Sequence, residues 1–167
     1  MASHSVTMVA VLGGIIAAPP PADIRTRPQT AEDLPDLARL WLASYPASIT
    51  ADETFESAVA DLAASQAGEY GPFLAAASPV AVTGDEAIVA AIQTVARASW
   101  DDTPNCPFIV ELFVSPLHRG RGLGRLLLLE ALSEVSRDGY TRAALRVDSG
   151  NAAALALYRG AGFVTTR

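Results

Sequence analysis

The chain has 167 residues, half of them apolar and 18% charged, enough for one domain with a proper core and unlike an extended disordered segment. Its formal net charge of −6 disfavours a broad basic surface for nucleic acid or anionic lipid, and all twelve basic residues are arginine. A single cysteine, Cys106, excludes an intramolecular disulfide, and with only His4 and His118 beside it a Cys/His zinc site is unsupported, so no metal is expected and a reducing cytoplasm fits.

In chain order, Val6 to Ala18 is an apolar run that ends at Pro19, Pro20 and Pro21. It is too short to span a bilayer and no Lys or Arg precedes it, as a secretory signal requires; export would predict cleavage near Ala18. Residues 1–22 therefore read as an apolar, proline-rich extension outside the core, with Met8 an alternative start, and residues 23–167 as the domain.

Asp23 to Arg27 alternates like a short strand, and Thr30 with Asp33 forms a helix-start signature. Leu34, Leu37, Ala38, Trp41 and Leu42 recur at helical spacing, with Pro35 in the first turn and Pro46 ending the helix. A second helix is predicted from Asp52 to Ala64. Val80 to Thr83 and Ala87 to Ala98, separated by Gly84-Asp85-Glu86, read as a hairpin. Phe108 to Val114 is a strand, Leu123 to Val135 an apolar helix, Tyr140 to Val147 a strand, Asn151 to Arg159 a helix, and Phe163 to Thr166 the start of one more strand. Alternation in the second half predicts a parallel pair of strands, and the first half is more antiparallel, giving a mixed α/β domain.

Between the Phe108 strand and the Leu123 helix the chain reads R-G-R-G-L-G, Arg119 to Gly124. Gly120, Gly122 and Gly124 allow a tight turn and close approach of backbone N–H groups to a ligand. Those groups open a helix whose first donors lack partners and whose dipole is positive there, an arrangement suited to phosphate. Arg119, Arg121 and Arg125 add positive charge. A Rossmann fingerprint needs different spacing near the first strand, and a P-loop needs a lysine that the chain lacks.

The stretch V-E-L-F-V-S-P-L-H-R-G-R-G-L-G-R-L-L, Val110 to Leu127, resembles the cofactor motif of the GNAT superfamily of N-acetyltransferases, whose core is [QR]-x-x-G-x-[GA]; Arg119, Gly122 and Gly124 fill it. Asn151-x-x-Ala154-x-x-Leu157-Tyr158-x-x-x-Gly162-Phe163 looks like the family's second signature, and Ile24 to Leu37 like its opening. The resemblance implies a GNAT-like acyl-CoA N-acyltransferase fold of mixed α+β type, its mostly antiparallel sheet carrying a splayed parallel pair. It further implies an N-acetyltransferase that moves acetyl from acetyl-CoA directly to a primary amine of an unidentified acceptor, the alternative being a non-catalytic acyl-CoA-binding module.

By the same resemblance, the backbones of Leu112, Phe113 and Val114 pair with the pantetheine arm, one N–H, at Val114, polarises the thioester carbonyl, and Arg119, Gly120, Arg121, Gly122, Leu123, Gly124 and Arg125 hold the pyrophosphate. Asn151 caps the last helix and reaches the cofactor. Tyr158 matches the acid that protonates the departing thiolate. Glu111 is the candidate base, on the strand face opposite Leu112 and Val114. From their charge alone, Asp52, Glu53, Glu56, Asp101 and Asp102 read either as carboxylates that attract a cationic acceptor or as an ordinary solvated face. Most relatives end with two strands after the Gly-Phe step, and this chain stops at Arg167. The final strand is thus expected to be missing and the Tyr140 to Asp148 strand left as an open edge that a homodimer would cover.

Overall fold

A computed structural model describes residues 4–166; residues 1–3 of the expected extension and Arg167 lie outside the described residues. The strands are β1 (Ser5–Val11), β2 (Ile24–Pro28), β3 (Pro79–Thr83), β4 (Ile88–Val95), β5 (Phe108–Val114), β6 (Arg142–Asp148) and β7 (Val164–Thr165), and they form one sheet in the order β2-β3-β4-β5-β6-β1-β7. The helices are α1 (Leu34–Ser44), the single turn α2 (Ala47–Thr50), α3 (Phe55–Gln66), α4 (Leu123–Arg137) and α5 (Ala152–Gly160).

Side-chain caps open three of the helices, while α2 was not expected and α3 starts at Phe55 rather than Asp52. Thr30 N–H donates to Asp33 at 2.8 Å ahead of α1, Thr54 Oγ1 accepts from Ser57 N–H ahead of α3, and Asn151 Oδ1 accepts from Ala154 N–H at 3.0 Å to open α5. The helices cover both sheet faces. Leu37, Ala38 and Leu62 of α1 and α3 pack on Val80, Val82 and Phe113, while Leu123, Leu127, Leu128 and Leu132 of α4 pack with Ile92, Ile109 and Leu145 on the other side.

The N-terminal residues correct two expectations. Ser5–Val11 is a sheet strand and not an extension outside the core: it pairs antiparallel with β6 along its whole length, Ser5 opposite Asp148 and Val11 opposite Arg142, and its other side meets β7 at Met8 and Val9. Met8 and Ala10 are fully buried in the α4-side core, so a start at Met8 would cut the strand in half. The missing strand is thereby replaced. β1 supplies the neighbour that β6 was expected to lack, and the open edge that motivated dimerisation is already paired. The physical reason is that a strand joins a sheet by backbone hydrogen bonds, whichever end of the chain it comes from.

All pairings are antiparallel except β5 with β6, which is parallel and holds only at Phe108 opposite Ala144 and Ile109 opposite Leu145. Beyond Ile109 the two strands separate. A bulge between Gln93 and Thr94, where β4 meets β5, turns β5 away at this point.

Candidate active site

The opening between β5 and β6 leaves one side of β5 unpaired from Val110 to Val114. Ser115 N–H donates to Val89 O at 2.8 Å, on the β4 side. Strand alternation then directs the N–H groups of Val114 and Leu112 into the opening and that of Phe113 toward β4. The side chains follow the same alternation. Phe113 and Glu111 face α1, and Leu112 and Val114 pack against the α4-side core.

At the mouth of the opening the glycine loop starts α4. Gly120 and Gly122 take φ of 73° and 78°, left-handed values that L side chains rarely adopt, and Gly122 is the residue that caps α4. Gly124 serves a different purpose, because it lies inside the helix and a Cβ there would stand 3.4 Å from Leu157 Cδ2 and 3.6 Å from Val114 Cγ2. Its missing side chain lets α4, α5 and β5 converge. No backbone N–H from Gly120 to Arg125 has a hydrogen-bond partner among the described residues, so the helix start presents a run of free donors.

The arginines ring this loop from outside. Arg119 donates to Ser44 O at the end of α1, Arg121 pairs with Asp23 at 2.6 Å, and Arg125 donates to Gly160 O at 3.2 Å. All three are exposed, and their present bonds tie the loop to α1, to the β2 approach and to α5. Exposed arginines exchange such partners cheaply, so these bonds leave them able to turn toward an anion.

Across the opening, Glu111 and Tyr158 approach from opposite faces of the sheet. Glu111 Oε2 accepts from Tyr45 O–H at 2.8 Å and from Trp41 Nε1–H at 3.3 Å, both from the end of α1. Burial pushes the Glu111 carboxyl up to about 7 despite these two donors, with the charge of Asp61 adding to the rise. Tyr158 is buried beside Phe163, ring centroids 5.9 Å apart. Burial first, and then the Glu111 charge, raise its phenol to about 12. Its hydroxyl has no hydrogen-bond partner among the described residues, and Tyr45, partly buried, is held well above the ordinary phenol range by burial and Glu111.

Other expected residues lie away from the β5–β6 opening, Glu53 among them lining a hollow with Asp61 and Tyr70. Asp102 pairs with Arg146 at 3.0 Å, Asp52 and Glu56 are exposed, and Glu53 accepts from Ser57 Oγ at 2.6 Å. His118 contacts Ser115 Oγ at 3.3 Å. Buried Cys106 packs near Phe108 and Ala144, its thiol pushed up by burial. The sequence shows Trp41 only as a residue at helical spacing and does not single out Tyr45, nor Asp61, Ser65, Tyr70, Gln93 and Trp100, which line the hollow in front of Glu111. Nothing local marks them, since they come from four separate segments that only the fold assembles.

A mixed sheet opened between its two parallel strands, with unpartnered helix-start N–H groups at the mouth, has the form of a site for an elongated phosphate-bearing ligand. The chain belongs to the acetyltransferase (GNAT) family, whose family description matches residues 34–163. Among curated relatives it is similar to the mycothiol acetyltransferase of Kocuria rhizophila, 36% identical over 62 residues that make up 37% of this chain and 20% of that one. It is also similar to the L-methionine sulfoximine/L-methionine sulfone acetyltransferase of Salmonella typhimurium, 31% identical over 90 residues, 53% of this chain and 52% of that one. The chain thus matches only about a fifth and about half of these two relatives' lengths.

The fold is that of a GCN5-related N-acetyltransferase from Sphaerobacter thermophilus, with a TM-score of 0.75 at 23% identity over 98% of this chain and 49% of that one. PaiA N-acetyltransferase from Thermoplasma acidophilum, solved in complex with coenzyme A, shares it with a TM-score of 0.63 at 21% identity over 84% and 89%. These likenesses establish the shared backbone. No helix among the described residues is long and apolar enough to cross a membrane.

Proposed function

We propose that the protein is an acetyl-CoA-dependent N-acetyltransferase that acts on a primary amine without a covalent enzyme intermediate. The observation that carries this reading is the opening between the parallel strands β5 and β6, which ends at the unpartnered N–H groups of Gly120 to Arg125 and has the Glu111 carboxyl near enough for its charge to raise the Tyr158 phenol. Those donors, with Arg119, Arg121 and Arg125, suit a pyrophosphate, and the free backbone groups of Leu112 and Val114 on β5 suit the amide-bearing pantetheine arm as an added strand, whereas the Phe113 backbone, expected to join them, is turned to β4. Asn151, at the start of α5, lies where it would both cap the helix and border the cofactor. Acetyl-CoA supplies an activated acyl thioester.

Each residue then has one task. Glu111 takes the proton that the amine must lose, which its raised pKa suits near neutral pH. Val114 N–H donates to the carbonyl oxygen as negative charge develops there. Tyr158, held protonated across the working range by its raised pKa, gives a proton to the leaving sulfur. The new C–N bond replaces the C–S bond, and free thiol and amide leave. The buried single cysteine suits a reducing, cytoplasmic setting.

Thiol release from acetyl-CoA in the presence of an amine panel, comparing the parent with Tyr158→Phe, tests the proposal. Amine-dependent release that falls at least tenfold in the variant supports it. Measurable acetyl-CoA binding with no amine-dependent release identifies a non-catalytic acyl-CoA-binding module instead.

A further inference from the structure

In front of Glu111 lies a hollow of about 370 Å³ that adjoins a more open one of about 600 Å³, the two sharing Asp61 and Tyr70. Glu53, Asp61, Glu69 and Glu111 line the pair, and no arginine or histidine does. Acidic lining alone would describe any solvated face. A second observation sets this one apart: Ser65 Oγ and Gln93 Oε1, both buried on the wall of the inner hollow, have no hydrogen-bond partner.

The surrounding network fixes which end of the Gln93 amide is free. Gln29 Nε2 donates to Ser78 O at 2.9 Å and to Ile92 O at 2.8 Å, so Gln29 Oε1 must accept. It accepts from Gln93 Nε2 at 2.9 Å and from Gln66 Nε2 at 3.0 Å. Flipping Gln93 would set two carbonyl oxygens against each other. Its Oε1 is therefore an acceptor that wants a donor, next to Glu111, its partner across the β4–β5 ladder.

The remaining wall is aromatic. Tyr70 stacks on Trp100 with centroids 5.6 Å apart and planes at 26°, and Tyr70 O–H donates to Asp61, which leaves that carboxylate at the rim beside two ring faces. Carboxylate and aromatic faces together receive an organic cation well.

We infer that the acceptor is a small dicationic amine, whose reacting amine sits at Glu111 and Gln93 and whose second basic group rests between Asp61 and the Tyr70–Trp100 stack. This rests on the acetyl-transfer reading only for which amine reacts. An acceptor with a carboxylate at that second position would meet Asp61 with no cation on the walls to answer it.

Two measurements test the inference, the second independent of turnover. Against 1,4-diaminobutane, butylamine and 4-aminobutanoate, kcat/KM is expected to be at least tenfold higher for the diamine than for the monoamine, and lowest for the amino acid. In Asp61→Asn the ratio of diamine to monoamine should collapse toward one. Calorimetric titration of the full chain with the same three compounds, in the presence of coenzyme A, should show the same order in Kd. Equal binding of the three, or none, overturns the inference even where acetyl transfer to some other amine is found. Tighter diamine binding that Asp61→Asn abolishes supports it even where no thiol is released, and in that case the acetyl-transfer reading alone fails.

Discussion

Glu111 carries opposite consequences for activity and for stability. In its proposed role as the base it would work in its charged form, so kcat/KM should climb as pH rises through about 7. Glu111→Gln should remove that limb and lower kcat roughly 10²-fold or more, as loss of a positioned base does. For folding the sign reverses. A carboxyl whose folded pKa lies above its unfolded value near 4.5 binds its proton more tightly in the folded chain, so stability falls as pH rises from about 4.5 to 7. The full shift is worth about 3 kcal/mol, and water entering from the hollow reduces it to about 1–2. Glu111→Gln should therefore melt higher than the parent at pH 8 and match it near pH 4.5, read by thermal unfolding at both. An equal difference at the two pH values would show that the carboxyl is not buried as described. Glu111 and Tyr158 could be singled out from the sequence because each sits in a stretch that resembles a family motif. Trp41 and Tyr45 were visible only as members of a helix, because their bonds to Glu111 close over more than sixty residues.

The elements themselves were written locally. Caps at Thr30, Thr54 and Asn151, the hairpin turn at Gly84 and the glycine loop all act within a few residues, which is why α1, α3, α5, β3 and β4 fall close to their expected bounds. Their glycines differ in what they permit. Gly122 needs its positive φ but has open space around the Cβ position, so Gly122→Ala should cost about 1 kcal/mol and act chiefly by turning the donors of α4. A severalfold rise in the KM for acetyl-CoA, with Tm lowered by only a few degrees, is the expected result; an unchanged KM would remove the loop from the cofactor site. Gly71 has neither freedom nor space. At φ 124° its Cβ would lie 1.8 Å from Arg97 O, so Gly71→Ala must displace backbone and should cost several kcal/mol, seen as a large fall in Tm. Nothing in the local spacing reports this, since the carbonyl that confines Gly71 belongs to Arg97, two residues beyond β4.

At the scale of the molecule the sheet depends on the strand that sequence reading set aside. SVTMVAV lacks a clear polar face: Met8 and Ala10 are buried in the α4-side core, while on the other face Val9 packs partly against Val95, Ala98 and Phe108 and Val11 stays exposed. Its partner β6 lies some 130 residues away, and no local signal reports that pairing. Yet β6 leans on it heavily, because β5 holds β6 only at Phe108 and Ile109 and then diverges to form the site. Opening the sheet for a cofactor and anchoring β6 from its other side are thus one design. A chain starting at Ala22 would lose the burial of Met8 and Ala10, expose both the core and the β6 edge, and leave β7 without its partner. Burial of Met8 alone is worth about 2–5 kcal/mol, a large part of the 5–15 kcal/mol that holds a typical domain. The shortened chain should therefore aggregate or unfold at 25 °C by circular dichroism, and a synthetic peptide covering residues 4–12, added in excess, should restore a cooperative melt by re-forming the strand in trans. A soluble monomer with an unchanged Tm after removal of residues 1–21 would mean that the divergent β5–β6 pair stands without β1.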